Sequence, residues 1–365
     1  MKYTDEFRDP VTAQHLIQEI RARATQPIRI MEFCGGHTHA IMRYGIRQAL
    51  APHVHMASGP GCPVCVTADT DIDYCIALAH LPGVTVATFG DMARVPGSRS
   101  SLQEARAAGA EVRIVYSALD ALELARKEPR RAVVMLGIGF ETTAPTVAAS
   151  IVRARELGLS NYYVYSMHKL TPPAMRSILD AGEVRLDAVL GPGHVTAIIG
   201  WRAWDFLPAD YGIPCAVSGF EPLDILQAVH LLVGVQGGTP RVVNAYSRGV
   251  TAEGNRVAQS LMAEVFEVSP ANWRGLGELP GSGLSLRPAY AAYDARLAFD
   301  VPLTVSIEPT SHQGCRCGEV LRGVIEPPEC HLFGKVCTPA RPVGPCMVSA
   351  EGACAAHHRY GGSLE

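Results

Sequence analysis

The stretch IRIMEFCGGHTHA, residues 28–40, joins an apolar run to a loop that holds one cysteine and two histidines. The run IRIMEF (28–33) predicts a buried strand, because the strands of a parallel sheet covered on both faces are nearly continuous apolar segments. Cys34, His37 and His39 follow this strand at once. Open α/β folds bind ligands at the carboxyl ends of their strands, so these side chains are candidates for a functional site, although each histidine is equally well explained as structural.

A second predicted strand ends in the same way. The run VHMAS (54–58) is followed by GPGCPVC (59–65). The spacing of Cys62 and Cys65 is that of a redox-active dithiol or of half a metal site, while an inert structural pair is the plainer interpretation. If both strands belong to one parallel sheet, Cys34 meets this pair at the carboxyl edge of that sheet. Three thiolates leave a metal ion one open position, and soft thiolates suit iron, copper or zinc.

Strand and helix patterns alternate along most of the chain, which predicts an α/β fold with parallel sheets. Further strands are predicted at 84–90, 111–117, 131–139, 161–168, 186–193 and 213–219. Helices are predicted at 69–80, 117–127, 141–158, 221–234 and 251–268. We therefore expect two doubly wound parallel-sheet domains, 1–145 and 146–274, followed by a small loop-rich domain over 275–365, where Gly, Pro and Cys become frequent.

The composition describes a folded globular protein and gives no electrostatic case for a nucleic-acid partner. Of the 365 residues, 48% are hydrophobic and 18% are charged, and the formal net charge is −3. Neither a secretory signal nor an apolar run near the roughly 20 residues of a membrane helix is visible, so we expect a cytoplasmic location without a membrane partner. In that reducing compartment, the 11 cysteines favour metal binding or thiol redox chemistry over a disulfide framework.

Six of the cysteines lie within 40 residues of the tail, at 315, 317, 330, 337, 346 and 354. Four thiolates hold a tetrahedral zinc ion or an iron–sulfur cluster. Structural zinc sites usually use paired knuckles with two to four residues between the cysteines, whereas here only Cys315 and Cys317 are close. The irregular spacing favours a cluster wrapped by loops over zinc, and buried structural cysteines are the third interpretation.

Two more loops at predicted strand ends hold titratable side chains. The loop GIGFETTAP (137–145) half-matches a dinucleotide-binding fingerprint, but the third glycine is missing. Glu141 in this loop is a candidate proton carrier or simply a residue at a helix start. The loop GPGHVTAIIG (191–200) places His194 at another strand end, where a structural histidine is the plainer alternative.

Five stretches together resemble the HypD family of hydrogenase maturation factors, in order and across nearly the whole chain. They are CGGHTH (34–39), GPGCPVC (59–65), GFETTAP (139–145), PGHV (192–195) and the tail from CRCGEVLRG to EGAC (315–354). The resemblance implies two α/β domains and a C-terminal domain with a 4Fe–4S cluster. It also implies a scaffold that acts with a HypC-type chaperone and a HypE-type cyanide donor to build the Fe(CN)2CO unit of nickel–iron hydrogenases.

The resemblance also suggests roles for particular residues. The thiols that would hold the iron under assembly are Cys34, Cys62 and Cys65. The candidate catalytic residues are these three cysteines with His37, Glu141 and His194. The cluster, which would supply electrons through the thiols, needs four ligands, and the best mapping is Cys317, Cys330, Cys337 and Cys354. Cys315 and Cys346 are then spare, and Cys75 and Cys215 are predicted core residues because their surroundings are apolar.

Two other functions are compatible with the residues. A stand-alone iron–sulfur thiol/disulfide reductase would use a tail cluster to reduce the Cys62–Cys65 pair, but it would have no need of Cys34. A zinc-dependent hydrolase would use Glu141, but the chain has no H-E-x-x-H or similar paired-histidine helix. The pattern therefore favours a metallocofactor scaffold with redox activity over a conventional single-substrate enzyme.

Overall fold

The structure, a computed structural model, describes residues 5–301 and 314–362. Two parallel sheets and one antiparallel hairpin make up its β-structure. Sheet I contains β1 (Ile28–Glu32), β2 (Val54–Ser58), β7 (Ala188–Pro192), β8 (Cys215–Ser218) and β9 (Val242–Asn244), in the order β2-β1-β7-β8-β9. Sheet II contains β3 (Val84–Thr88), β4 (Val112–Ile114), β5 (Ala132–Gly137) and β6 (Tyr162–Ser166), in the order β4-β3-β5-β6. The hairpin consists of β10 (Phe266–Trp273) and β11 (Gly277–Leu286).

Helices connect the parallel strands, as the alternating pattern predicts. In the first half they are α1 (Pro10–Arg23), α2 (Gly35–Arg43), α3 (Ile46–Leu50), α4 (Pro63–Val66), α5 (Asp69–Ala79), α6 (Gly90–Ala93), α7 (Leu102–Ala107), α8 (Ala118–Lys127) and α9 (Ala144–Glu156). They continue as α10 (Thr171–Ala181), α11 (Gly193–Ile199), α12 (Phe206–Tyr211), α13 (Pro222–Gly234), α14 (Arg256–Val265), α15 (Ala295–Ala298), α16 (Cys317–Leu321) and α17 (Ala353–Tyr360). Short 3-10 helices span Asp5–Phe7, Trp201–Trp204, Pro288–Tyr293, Pro327–Glu329 and Pro345–Met347.

Both faces of each parallel sheet are buried, which confirms the α/β class predicted from the continuous apolar strands. In β1, Ile28 and Ile30 pack with residues of α1 and α13, while Met31 packs on the opposite face with residues of α10 and α12. Sheet II is covered in the same way, by α8 and α9 on one face and by α5 and α7 on the other. The carboxyl ends of the strands consequently remain the open edges of both sheets.

Each sheet takes strands from both sides of the predicted boundary between residues 145 and 146. In sheet I, β1 pairs in parallel with β7, with Ile30 opposite Ala188. In sheet II, β5 pairs in parallel with β6. All of sheet II lies between β2 and β7 along the chain, so the sheets do not divide at that boundary. Local periodicity identifies strands but not their distant partners, because pairing is decided by long-range packing.

The helix predicted over 251–268 is wrong at its carboxyl end. Helix α14 begins after Asn255, whose side chain caps it by accepting a hydrogen bond from the Ala258 N–H at 3.0 Å, and it ends at Val265. Strand β10 starts directly at Phe266, which is buried like Trp273 at the other end of the strand. The sequence analysis did not predict β9, β10 or β11. Pairing along nearly the whole length of β10 with β11 outweighs the weak local helical pattern.

The described part of the tail packs onto sheet I. Residues 302–313 and 363–365 of the predicted C-terminal domain lie outside the described residues. Cys337 and Met347 share one hydrophobic core with Met31 of β1 and Val189 of β7, and α17 packs against α2. Across 5–301 and 314–362, no helix combines the length and apolar character needed to span a membrane.

Candidate functional site: two cysteine loops beside a cavity lined by thiols

The two predicted cysteine loops meet at the carboxyl edge of sheet I, because β1 and β2 are adjacent and parallel. The Gly59 N–H donates to the Glu32 carbonyl at 2.8 Å, and the Gly35 N–H donates to the Gly61 carbonyl at 3.0 Å. A Cβ at Gly61 would overlap the Cys34 backbone, so only glycine permits this approach. The prediction that the two loops share one edge of one sheet is therefore confirmed.

Cys62 and Cys65 are joined as a disulfide at the start of α4, with their Cα atoms 5.2 Å apart. Both side chains are buried, and Pro63 between them is the first residue of the short helix. The Cys65 Sγ lies 3.8 Å from the carbonyl oxygen of Pro345 in the tail. The pair therefore occupies the contact between the second loop and the tail.

Cys34 caps the N-terminus of α2 and carries a free thiol. Burial, with the nearby Glu351 and Glu32 carboxylates, raises the pKa of this thiol to about 12. Cys34 is consequently protonated at neutral pH unless a cation, such as a metal ion, compensates the negative charge of the thiolate.

Glu32 is a buried carboxyl next to Cys34 that the sequence analysis missed. Its Oε2 accepts a hydrogen bond from the Cys34 N–H at 3.0 Å, and its Oε1 accepts one from the Thr38 hydroxyl. Burial raises the pKa of Glu32 to about 8. The signal was present, since a glutamate inside an apolar strand is seldom buried without a partner. Glu32 links the end of β1 to the first turn of α2.

His37 and His194 come together through Phe220, a second residue that sequence reasoning missed. The buried His37 stacks on Phe220 with a centroid separation of 4.6 Å, and His194 stacks on the same ring at 3.9 Å. His37 Nε2 lies 2.8 Å from the Gly219 carbonyl oxygen, and burial lowers the pKa of His37 to about 4. A Cβ at Gly36 would lie 3.1 Å from Phe220 and 3.6 Å from the Cys34 sulfur. The two histidines thus stack on one aromatic ring, next to Gly36 of the first cysteine loop.

His39 and Glu141 make different contacts. His39 Nδ1 lies 3.3 Å from the Ala350 carbonyl oxygen, and its ring meets Tyr360 edge-on at 5.2 Å, so it packs against the tail. Glu141 accepts hydrogen bonds from the backbone N–H and the hydroxyl of Thr171, at 2.8 and 3.2 Å. Burial raises the pKa of Glu141 to about 7. In the part of the chain that the structure describes, its side chain ties the end of β5 to the start of α10.

All six tail cysteines line one small cavity, together with apolar side chains such as Leu332 and Phe333. The Cys346 thiol is hydrogen-bonded to those of Cys317 and Cys354, and these contacts with burial raise its pKa well above the ordinary value. Cys346, predicted to be spare, therefore faces the same space as the four predicted ligands. Within residues 5–301 and 314–362, no three His, Cys, Asp or Glu side chains are close enough to hold a single metal ion.

The cavity and the cysteine loops are in direct contact. Cys346 lies in the 3-10 helix Pro345–Met347, which packs against α4. Within this helix Cys346 lines the cavity, while the neighbouring Pro345 contacts Cys65. Helix α17 contributes Cys354 to the cavity, and its His357 lies 2.9 Å from Arg47 of α3. A short chain of contacts therefore runs from the six thiols to the Cys62–Cys65 pair and on to Cys34.

The fold and this site define a parallel α/β protein with cysteine thiols clustered at the edge of sheet I and in the tail. Over residues 11–361 the chain matches the family model described as "HypD: Hydrogenase formation hypA family". It is 47% identical over 375 residues to the hydrogenase maturation factor HypD of Rhodobacter capsulatus, covering 100% of this chain and 99% of that protein. To HypD of Escherichia coli (strain K12) it is 45% identical over 370 residues, with 99% and 98% covered. The chain belongs to the HypD family of hydrogenase maturation factors.

Proposed function

We propose that this chain is the scaffold on which the Fe(CN)2CO unit of nickel–iron hydrogenases is assembled. In the described structure these three side chains do not converge on one point, and Cys62 and Cys65 are joined as a disulfide. After that pair is reduced and the loops adjust, Cys34, Cys62 and Cys65 would hold the iron, a HypC-type chaperone would complete its coordination, and a HypE-type protein would deliver cyanide. The observation that carries the proposal is the meeting of the two cysteine loops, where Gly35 and Gly61 are hydrogen-bonded at 3.0 Å. Soft thiolates from adjacent backbones, on a rigid sheet edge, suit an iron ion that keeps positions open for incoming ligands.

The Cys62–Cys65 disulfide has to be reduced before both sulfurs can bind iron. Reduction breaks the S–S bond, takes two electrons and two protons, and leaves two thiols. Metal binding then displaces the thiol protons, because a thiolate is the ligand form. The buried position of the pair against Pro345 keeps this exchange away from bulk solvent.

The thiol-lined cavity supports the presence of a 4Fe–4S cluster in the tail. Cys317, Cys330, Cys337 and Cys354 would hold it, each thiolate on a different iron, which does not require three side chains to converge on one ion. When bound, such a cluster supplies single electrons. The apolar wall residues of this cavity exclude water from the sulfurs, and Pro345 brings the Cys62–Cys65 pair against that wall.

The histidines hold the cysteine loops in place and offer proton acceptors there. With its Nε2–H donating to Gly219, a neutral His37 presents its Nδ1 lone pair, and this atom has no partner among the described residues. Phe220 fixes the planes of His37 and His194 by stacking between them. Glu141 anchors the α10 start through Thr171 and stays a candidate proton carrier because its pKa is near 7.

The proposal is tested by replacing Cys34 with alanine in a strain that lacks its native HypD. We expect Cys34→Ala to abolish hydrogenase maturation while the iron and sulfide of the tail are retained, because a methyl group cannot ligate iron and the tail thiols are untouched. The measurements are hydrogenase activity, iron content, and the infrared bands of cyanide and carbonyl on the purified complex with HypC. Cys75→Ala is the matched control, since Cys75 is buried in α5 within another core and should leave all readouts unchanged.

The rival function is a stand-alone thiol/disulfide reductase. A reductase needs the disulfide but not Cys34, so Cys34→Ala would then support normal maturation with both sets of infrared bands present. That result would overturn the scaffold proposal and leave Cys34 as a structural cap of α2.

A further inference from the structure

A second cleft, of about 550 Å³, opens at the carboxyl end of sheet II. Its walls are the end of β6, the start of α5 and the β10–β11 hairpin, with Arg296 of α15 at its rim. A cleft of this size fits a small organic molecule, and the carboxyl edge of a parallel sheet is where such molecules bind in open α/β folds.

Lys169 is a buried cation in this cleft without a matching carboxylate. Its residue is only 2% exposed, and its Nζ donates to the Asn272 carbonyl oxygen at 2.8 Å. The ammonium also lies 5.7 Å from the centre of the Trp273 ring. Among the described residues, no carboxylate is within salt-bridge distance of this nitrogen, although a buried charge is normally paired. Burial lowers the pKa of Lys169 to about 8, because the charged ammonium is less well solvated inside the protein than in water.

The carboxylates that line the cleft are engaged elsewhere. Asp71 accepts a hydrogen bond from the Tyr165 hydroxyl at 2.7 Å and forms an ion pair with Arg296 at 3.3 Å. Asp294 caps α15 by accepting from the Arg296 backbone N–H at 2.8 Å. Glu278 lies on an exposed stretch of β11. None of the three neutralises Lys169 directly.

A further polar atom in the cleft wall is without a partner. His168 is 1% exposed, its Nδ1 lies 3.0 Å from the Ser166 hydroxyl, and its Nε2 has no hydrogen-bond partner among the described residues. The Ser166 hydroxyl donates to the Leu284 carbonyl oxygen at 2.6 Å, so His168 donates to Ser166 through Nδ1–H and its Nε2 is an acceptor. An acceptor group placed in the cleft would therefore pair with the Lys169 ammonium, and a hydroxyl of the same ligand would satisfy His168 Nε2.

We propose that this cleft binds a small molecule through an oxyanion, either a carboxylate or a phosphate. Lys169 supplies the charge, and two of its three N–H donors remain for the ligand. Arg296, at the rim, adds a second cation, and the rings of Tyr74 and Tyr165, tilted against each other with their centroids 4.6 Å apart, form a wall for the rest of the molecule.

The test is equilibrium titration of the purified full-length chain with sodium phosphate and, separately, with sodium acetate. Ionic strength is held constant with sodium chloride, and heat of binding and thermal unfolding are both recorded. We expect saturable binding at one site, and we expect Lys169→Met to raise the dissociation constant about tenfold or more, because a charge-assisted contact is lost. Lys127→Met, at the exposed end of α8, is the matched control and should bind like the parent protein.

Arg296→Gln gives a second reading if Lys169→Met fails to fold, because the Arg296 side chain is 59% exposed. It should weaken binding several-fold while its thermal unfolding without ligand stays close to that of the parent protein. Binding of phosphate alone or of acetate alone would identify the class of oxyanion, and binding of both would support the shared chemistry. Absence of binding by either probe, or equal affinity in the parent and Lys169→Met proteins, would overturn the proposal.

Discussion

Replacing Gly61 by alanine should separate the two cysteine loops. The added Cβ would overlap the Cys34 backbone and lie 2.6 Å from the Phe33 carbonyl carbon, whereas ordinary contact starts at 3.4 Å. These neighbours are backbone atoms, which cannot rotate out of the way as a flexible side chain would. The loops must therefore move apart by about 1 Å, and the Gly35–Gly61 hydrogen bond is strained or lost.

The size of the effect follows from the displacement. Overpacking of this kind costs about 1–3 kcal/mol of the free energy of unfolding. A shift of about 1 Å in reacting groups lowers a rate by about 100-fold, so maturation should suffer more than stability does. The fold should survive, because the change lies at the edge of sheet I and not inside its core.

The assay measures urea unfolding of the purified variant and hydrogenase maturation in a strain without its native HypD. Gly90→Ala is the matched control, because Gly90 also follows a strand, at the start of α6, and its Cβ would meet its nearest neighbour at 3.8 Å. We expect the control to lie within about 0.5 kcal/mol of the parent protein and to mature hydrogenase normally. Gly61→Ala with parental stability and full maturation would show that the loops do not approach as closely as described.

Two further changes test the tail and the buried carboxyl. Cys337→Ala should lose iron and visible absorption, and its tail should be less stable, because metal binding at the proposed cluster also supplies folding energy. The control Cys75→Ala should keep its colour. A full iron content in Cys337→Ala would show that Cys337 is not a cluster ligand. Burial raises the pKa of Glu141 from 4.5 to about 7. Between these two pH values the folded chain keeps a proton that the unfolded chain releases. The free energy of unfolding therefore falls as the pH rises from 4.5 to about 7, by up to about 3 kcal/mol. Glu141→Gln cannot lose this proton, so its stability should depend less on pH. The urea midpoints of the parent and Glu141→Gln proteins, measured at pH 5 and at pH 7.5, should show this difference. Equal changes of the midpoint with pH in both proteins would contradict the prediction.

The sequence predicted the strands of both parallel sheets except the short edge strand β9, and it predicted the edge where the cysteine loops meet, because buried parallel strands and the residues that follow them carry a strong local pattern. It did not predict the hairpin, since β10 contains Pro270 and alternates weakly, and its stability comes from pairing with β11. Sheet membership was also out of reach, because the partner of β1 is the distant β7.

At the site, the cysteines and histidines could be recognised from the sequence as reactive side chains, but the residues that position them could not. Phe220 has an ordinary apolar side chain, and only its position between two imidazole rings makes it important. Gly61 could be recognised as a turn residue, yet its closeness to the Cys34 backbone is a property of the tertiary fold. The Lys169 cleft was likewise not predicted, because its walls come together only where the end of β6 meets the hairpin.

Because the strands of sheet II lie between β2 and β7 along the chain, the two sheets cannot form in the same order in which their first strands are synthesised on the ribosome. Sheet II is complete once β6 has been synthesised, whereas β1 and β2 wait for β7 before sheet I can form its central pair. The loops that follow β1 and β2 are translated early but gain their surroundings late, since α17 still has to pack against α2. A prematurely terminated polypeptide would thus present its thiols without a formed pocket, and the iron site proposed for these loops would be complete only after the tail has been translated.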